Sequence, residues 1–127
     1  MNPKRILLIE DNAINRRLAQ FLLKSKGYEV WEAASAPEAF KALRESRPDL
    51  ILMDIQLPEM DGLTATRRLK ADPATRDIPV LAVTSYAMRG DEARALEAGC
   101  AGYVTKPIDK TLFLEAVARA LADQEDQ

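Results

Sequence analysis

Asp54 closes the apolar run LILMD, and Glu10 and Asp11 close the run RILLIED in the same manner. An ionised carboxylate beside apolar surface is costly unless a partner, a metal or exposure at a strand end relieves it, so these acids call for a shared site. Two carboxylates about 4 Å apart repel by roughly 4 kcal/mol at an effective dielectric near 20. A divalent cation relieves that repulsion. With no histidine and one cysteine in the chain, the donors are oxygens, which select a hard ion such as magnesium, with manganese as its substitute. Magnesium held this way bridges protein carboxylates to phosphate oxygens, so the acids point toward phosphoryl chemistry. Lys106, in TKPI, supplies a point charge. Three carboxylates against one dication and one ammonium sum to about zero in formal charge, so an anionic phosphoryl donor can approach with Asp54 as the nucleophile.

Such a site requires elements that bring these chain segments together. Apolar runs predict strands at 5–10, 29–33, 50–54, 79–84 and 101–105, alternating with helical patterns. The first, third and fourth runs are nearly continuous in apolar residues, as expected of central parallel strands covered on both faces. Ile14, Leu18, Phe21 and Leu22 form a helical stripe that ends near Gly27. Ser35 and Glu38 make a capping-box pattern with Pro37 in the first turn. A third helix is predicted from about Asp61 to Asp72, stopped by Pro73, and a fourth over 88–98, ending at Gly99. A fifth starts after Asp109 as N-cap, with Phe113, Ala116, Val117, Ala120 and Leu121 on one face. Residues 123–127 are expected to fray. This rhythm predicts an α/β fold, a (βα)5 doubly wound, flavodoxin-like parallel sheet with strand order 2-1-3-4-5 by analogy. Its ligand site lies beyond the carboxyl ends of the strands, where Glu10, Asp11, Asp54 and Thr84 fall.

Composition bounds the rest. A chain of 127 residues with 47% hydrophobic content predicts one domain over 1–127, with its core at about 4–122. A net charge of -2 makes no electrostatic case for nucleic acid, and the arginine pairs at 16–17 and 67–68 read as solvated helix faces. The lone Cys100 excludes an internal disulfide and reads as a small core residue. The apolar run ILLI is too short for a signal peptide and nothing approaches a membrane span, so a soluble, cytoplasmic protein is expected. The absence of histidine removes histidine triads, histidine metal sites and any phosphohistidine on this chain.

The stretches ILLIEDN, DLILMDIQLPEMDG, VLAVTS and YVTKPI, in this order and spacing, resemble the response-regulator receiver domains (CheY-like) of bacterial two-component signalling, over essentially the whole chain. The resemblance implies that Asp54 is the phosphoacceptor, that Glu10 and Asp11 form the acidic pocket with Asp11 directly on magnesium, and that the Gln56 backbone carbonyl is a further ligand. It also implies that Lys106 contacts the phosphoryl group, that Thr84 donates its hydroxyl to it, that Tyr103 is the switch aromatic and that the Lys106–Pro107 peptide is cis. Gln56 and Tyr86 fall at the positions that tune phosphoryl lifetime in the family, and the bulk of Tyr86 is expected to slow attack by water. The implied partners are a sensor histidine kinase or a histidine phosphotransfer protein, which must supply the phosphohistidine. A downstream protein would bind the face of the fourth helix, fifth strand and fifth helix, with no direct DNA binding and no membrane insertion. The stretch TSYAMRGDEARALEAGC resembles the stand-alone receivers of the DivK cell-division group and the receivers of hybrid kinases. Ser85 departs from the small alanine frequent in receivers.

Taken singly, the residues have plainer readings: Asp11 as a helix cap, Thr84 and Tyr103 as strand residues, Lys106 as a surface lysine and Pro107 as a turn. Two other classes fit less well. A haloacid-dehalogenase-type phosphatase places a general-acid aspartate where this chain has Gln56, and a flavin or dinucleotide binder wants a glycine-rich phosphate loop that is absent. An interaction module of the same fold that works without phosphorylation remains the alternative. Turnover of external substrates is not expected.

Overall fold

The computed structural model describes residues 3–85 and 90–125, with residues 91 and 123–125 described by their backbone alone. Strands β1 (Arg5–Ile9), β2 (Glu29–Ala33), β3 (Leu50–Asp54), β4 (Val80–Thr84) and β5 (Gly102–Thr105) alternate with helices α1 (Ala13–Ser25), α2 (Ala36–Glu45), α3 (Gly62–Ala71), α4 (Asp91–Ala98) and α5 (Lys110–Glu125). The strands form one parallel sheet in the order β2-β1-β3-β4-β5. The five predicted strands are all present, with ends that differ by at most one residue at each side. α5 carries helical backbone through Glu125, into the stretch expected to fray.

The pleat divides the core into two layers. Ile6, Leu8, Leu50, Leu52, Leu81 and Val83 pack on one side with Leu22 and Leu23 of α1 and Phe113 and Val117 of α5. Leu7, Ile9, Ile51, Met53, Val80 and Ala82 face the other way, against Ala39 of α2, Ala65 and Leu69 of α3 and Ala95 of α4. Successive side chains alternate across a strand, so a strand covered on both faces must be apolar throughout. β3 and β4 are buried at every position. Each buried Leu or Ile contributes about 1.5–3 kcal/mol relative to its exposed state.

Helix starts follow capping chemistry. Asn12 Oδ1 accepts from the Asn15 amide at the head of α1, so the cap is Asn12 and not Asp11. Ser35 caps α2 with Glu38 reaching back, Asp61 caps α3 through the Thr64 amide, and Asp109 accepts from the Leu112 amide at the head of α5. Gly27 and Gly99 follow α1 and α4 at φ +85 and +109, left-handed values that glycine adopts without a Cβ penalty. α4 is described from Asp91, with the left-handed Gly90 before it, and the start of the predicted helix, residues 88–89, lies outside the described residues.

The apolar stripe on α1 does not face the core as a unit. Leu22 is buried beside Ala19 and Leu23, whereas Ile14 is 78% and Phe21 70% exposed, with Leu18 also in solvent. At 100° per residue, positions 14, 18 and 21 fall within one narrow arc, and 19 and 23 lie roughly opposite, with Leu22 between them. The chain carries two apolar arcs on this helix, and the sheet takes the one built on alanine and leucine.

Candidate functional site

The carboxyl ends of β1, β3, β4 and β5 meet at one edge of the sheet. Asp54 is the last residue of β3 and pairs in register with Val83, and the ladder continues past it through Ile55 N donating to the Val83 carbonyl at 2.9 Å. Glu10 follows β1 directly, its amide donating to Ala33 O at 3.0 Å, so the β1–β2 ladder fixes its backbone. Lys106 follows β5, its amide donating to Thr84 O at 2.7 Å. Both carboxylates are almost wholly buried, Glu10 at 4% exposure and Asp54 at 2%.

Lys106 joins them. Its Nζ lies 2.6 Å from Glu10 Oε1 and 3.1 Å from Asp54 Oδ2. The lysine is raised above its ordinary range: burial works against its charge, but hydrogen bonds and attraction to Glu10 and Asp54 outweigh it. The acids part in opposite directions. Burial, then the hydrogen bond and charge of Glu10, push the Asp54 carboxyl up to about 7, against the pull of Lys106. Glu10 is buried too, yet its hydrogen bonds with Asp54, Lys106 and the Asn12 amide hold it below the usual range. One ammonium does not balance two buried carboxylates, and the Asp54 carboxyl, pushed up by burial and by Glu10, holds its proton to a higher pH than a free aspartate does.

Asp11 completes the acidic set from solvent. Glu10, Asp11 and Asp54 each offer a carboxylate oxygen within 4.8 Å of the others, and Asp11 is exposed at the mouth. An all-oxygen donor set with excess negative charge fits a hard dication such as magnesium. Asn12, taken by the α1 cap, leaves Asp11 available to this set.

The Lys106–Pro107 peptide is cis. Thr84 closes β4 fully buried, and its Oγ1 accepts from Gln56 Nε2 at 2.9 Å. Tyr103, on β5, is half-buried against the layer that carries α2, α3 and α4. It also lines a groove of about 290 Å³ with Pro107, Leu112 and Arg119, between β5 and α5. Tyr86 lies outside the described residues.

Sequence reasoning missed two features. The two arginine pairs are expected to be solvated, and of their four residues Arg17, Arg67 and Arg68 are exposed while Arg16 is half-buried. The Arg16 guanidinium donates through Nη1 to the Glu10 carbonyl at 2.8 Å, with Nε 3.8 Å from Glu32 Oε2, and so ties α1 to the acidic end of β1 and to β2. Its place one helical turn after Asn12 was the available signal. The second is the side chain of Gln56, which bonds Thr84 and Ser85 while its amide donates to Asp54 Oδ1 at 2.9 Å.

Residues 6–118 match the family described as the response regulator receiver domain. The chain belongs to that family. Its similarity extends to the polar-differentiation response regulators DivK of Brucella anthropi, 47% identical over 95% of this chain and 98% of the relative, and of Brucella ovis, 47% identical over 94% and 98%. Among solved structures, it resembles the receiver domain of a Pseudomonas aeruginosa sensor histidine kinase at 35% identity and a TM-score of 0.86, covering 95% of this chain and 99% of that one. That receiver has a magnesium ion coordinated in its active site cleft. A CheY-like receiver from Methanospirillum hungatei matches at 30% identity and a TM-score of 0.90, covering 98% of both chains. The receiver fold and strand order predicted from the sequence are therefore correct, and the chain is a two-component signalling domain. No helix among the described residues of this receiver is long and apolar enough to cross a membrane.

Proposed function

We propose that this receiver takes a phosphoryl group onto Asp54 from a phosphohistidine of a sensor kinase or phosphotransfer protein in the cytoplasm, and that the change alters the α4–β5–α5 face for a downstream protein. The observation that carries the reading is the buried Asp54 carboxylate held between Lys106 and Glu10 with Asp11 at the mouth. A carboxylate oxygen of Asp54 attacks phosphorus, the bond from phosphorus to the partner's imidazole nitrogen breaks, and the imidazole leaves with that electron pair. Magnesium, held by Glu10, Asp11, Asp54 and the Gln56 carbonyl, would offset the pooled negative charge of the acids and of the phosphoryl oxygens. Lys106 moves with the charge: its ammonium, already shared by both buried acids, is placed to bond a phosphoryl oxygen attached to Asp54.

The remaining residues act on the product. The acyl phosphate adds acceptor oxygens beside β4, and the Thr84 hydroxyl donates to one of them. Tyr103, on the neighbouring strand, turns inward as Thr84 shifts, changing the groove it shares with Pro107, Leu112 and Arg119. Gln56 and Tyr86 tune how long the phosphoryl survives. Gln56 in place of an acid, two residues after the acceptor, offers no general acid for turnover of external phosphate esters.

Intact-mass measurement with magnesium and acetyl phosphate tests the acceptor. One labile phosphoryl adduct is expected on the wild type and none on Asp54→Asn. An adduct on both chains, or on neither, would reject Asp54 as the acceptor.

A further inference from the structure

Gln56 makes contacts in two directions from one residue. Its backbone amide donates to Asp54 Oδ1 at 2.9 Å. Its side chain crosses from the β3 end to the β4 end, where Nε2 donates to Thr84 Oγ1 at 2.9 Å and Oε1 accepts from Ser85 N and Ser85 Oγ, both at 3.3 Å. The orientation of the amide is set by its partners. A backbone N–H can only donate, so the atom facing the Ser85 amide must be the oxygen, which leaves the NH2 group for Thr84. The Gln56 side chain is thus held at both of its polar atoms, and the end of β4 is tied to the residue that grips the acceptor carboxylate.

We propose that the Gln56 side chain is a latch on the unphosphorylated arrangement of the β4 end, fixing the Thr84 hydroxyl and Ser85 until Asp54 is modified. The inference rests on the reading of Asp54 as phosphoacceptor and goes beyond it by assigning this side chain a place in the switch. Thr84 has one hydroxyl proton and two lone pairs, and the bond it accepts from Gln56 does not itself use the proton. What the contact fixes is position. To bond a phosphoryl oxygen on Asp54 the hydroxyl oxygen must come within about 2.5–3.0 Å of it, and any shift of the buried Thr84 side chain from its present place must stretch or break its 2.9 Å bond to the Gln56 amide. Phosphorylation also reaches the latch from the other side, because the Gln56 backbone amide is bonded to the carboxylate that changes. Gln56 is therefore a positioning residue, acting through Thr84.

The test is the affinity for beryllofluoride, a phosphoryl mimic, at saturating magnesium, measured by titration calorimetry on the whole chain. Gln56→Met keeps the length of the side chain and removes both polar atoms, and Gln56→Ala also opens the space. If the latch opposes switching, both variants bind the mimic about three- to tenfold more tightly than the wild type, the size expected for release of one neutral hydrogen bond. The same substitutions made together with Thr84→Ala give no gain, since no hydroxyl remains to release. Tighter binding by Gln56→Ala with wild-type affinity in Gln56→Met would show a steric barrier and overturn the latch. Equal gains with and without Thr84 would overturn it too. Urea unfolding of each chain separates a folding defect from a shift of the switch. Beryllofluoride binding by the wild type that Asp54→Asn abolishes, with no change in either Gln56 variant, rejects the latch alone; no binding by the wild type rejects the acceptor reading together with it.

Discussion

At the scale of single residues, the site is a problem of unbalanced charge. Lys106 serves Glu10 and Asp54 at once, at 2.6 and 3.1 Å, and Asp54 is raised while Glu10, the nearer to Lys106 and bonded also by the Asn12 amide, is lowered. The Asp54 carboxyl, pushed up to about 7 by burial and by Glu10, has a sign in stability that can be worked out. Below the unfolded value near 4 both states bind the proton and the group is neutral to folding. Between that value and about 7 the folded chain keeps a proton that the unfolded chain has lost, so stability falls as pH rises, and above about 7 the full cost remains. Asp54→Asn removes this cost. In EDTA it should be more stable than the wild type at pH 8, by an amount on the order of 2 kcal/mol, with the advantage shrinking as pH falls toward 5. Urea titrations of both chains across that range check it, and an advantage that grows on acidification would contradict the assignment.

At the scale of elements, the site depends on how closely α3 approaches the end of β3. Gly62 is the first residue of α3, and its amide donates to the Ile55 carbonyl at 2.8 Å. A Cβ on Gly62 would overlap the Asp54 carbonyl oxygen and come within 2.8 Å of the Ile55 Cα, and backbone atoms cannot rotate away as a flexible side chain can. Thr66 holds the same turn from inside, its hydroxyl donating to the Gly62 carbonyl at 2.8 Å, and Cys100 packs on that hydroxyl. Gly62→Ala should therefore cost roughly 2–4 kcal/mol, well above the few tenths that alanine changes at an open helix position, and it should displace the Asp54 backbone. Urea unfolding gives the energy, and a loss below about 0.5 kcal/mol would show that α3 moves aside freely.

At the scale of the whole molecule, a cation bound at the sheet edge is linked to folding. Glu10, Asp11 and Asp54 come together only when β1 and β3 are paired, so magnesium held by them would bind the folded chain alone and raise its stability by RT ln(1 + [L]/Kd), about 2.7 kcal/mol at a hundredfold excess over Kd. The proton on Asp54 competes with the ion, so the magnesium-induced rise in thermal midpoint should be larger at pH 8 than at pH 6 and should largely vanish in Asp11→Asn. Thermal scans with and without magnesium at both pH values test this, and a rise independent of pH and of Asp11 would place the ion elsewhere.

Much of the fold and of the candidate site was legible in the sequence because its signals are local. An apolar run of five or six residues between turn signals, a Ser35–Glu38 pair and a glycine after a helix are each read within one turn of chain, and they place Glu10, Asp54, Thr84 and Lys106 at strand ends. Parallel pairing then lines those ends up at one edge. Tertiary structure alone decided what happens across that edge. Asn12 and Asp11 are equally good caps by type, and the choice between them follows from where β1 stops. Arg16 turns inward because the Glu10 carbonyl and Glu32 lie within its reach, while Ile14 and Phe21 stay in solvent because the sheet takes the other arc of α1. The raised carboxyl of Asp54 and the Gln56 amide at Thr84 are contacts between segments 28 or more residues apart, and no local pattern encodes a distance of 3 Å between groups so far apart along the chain.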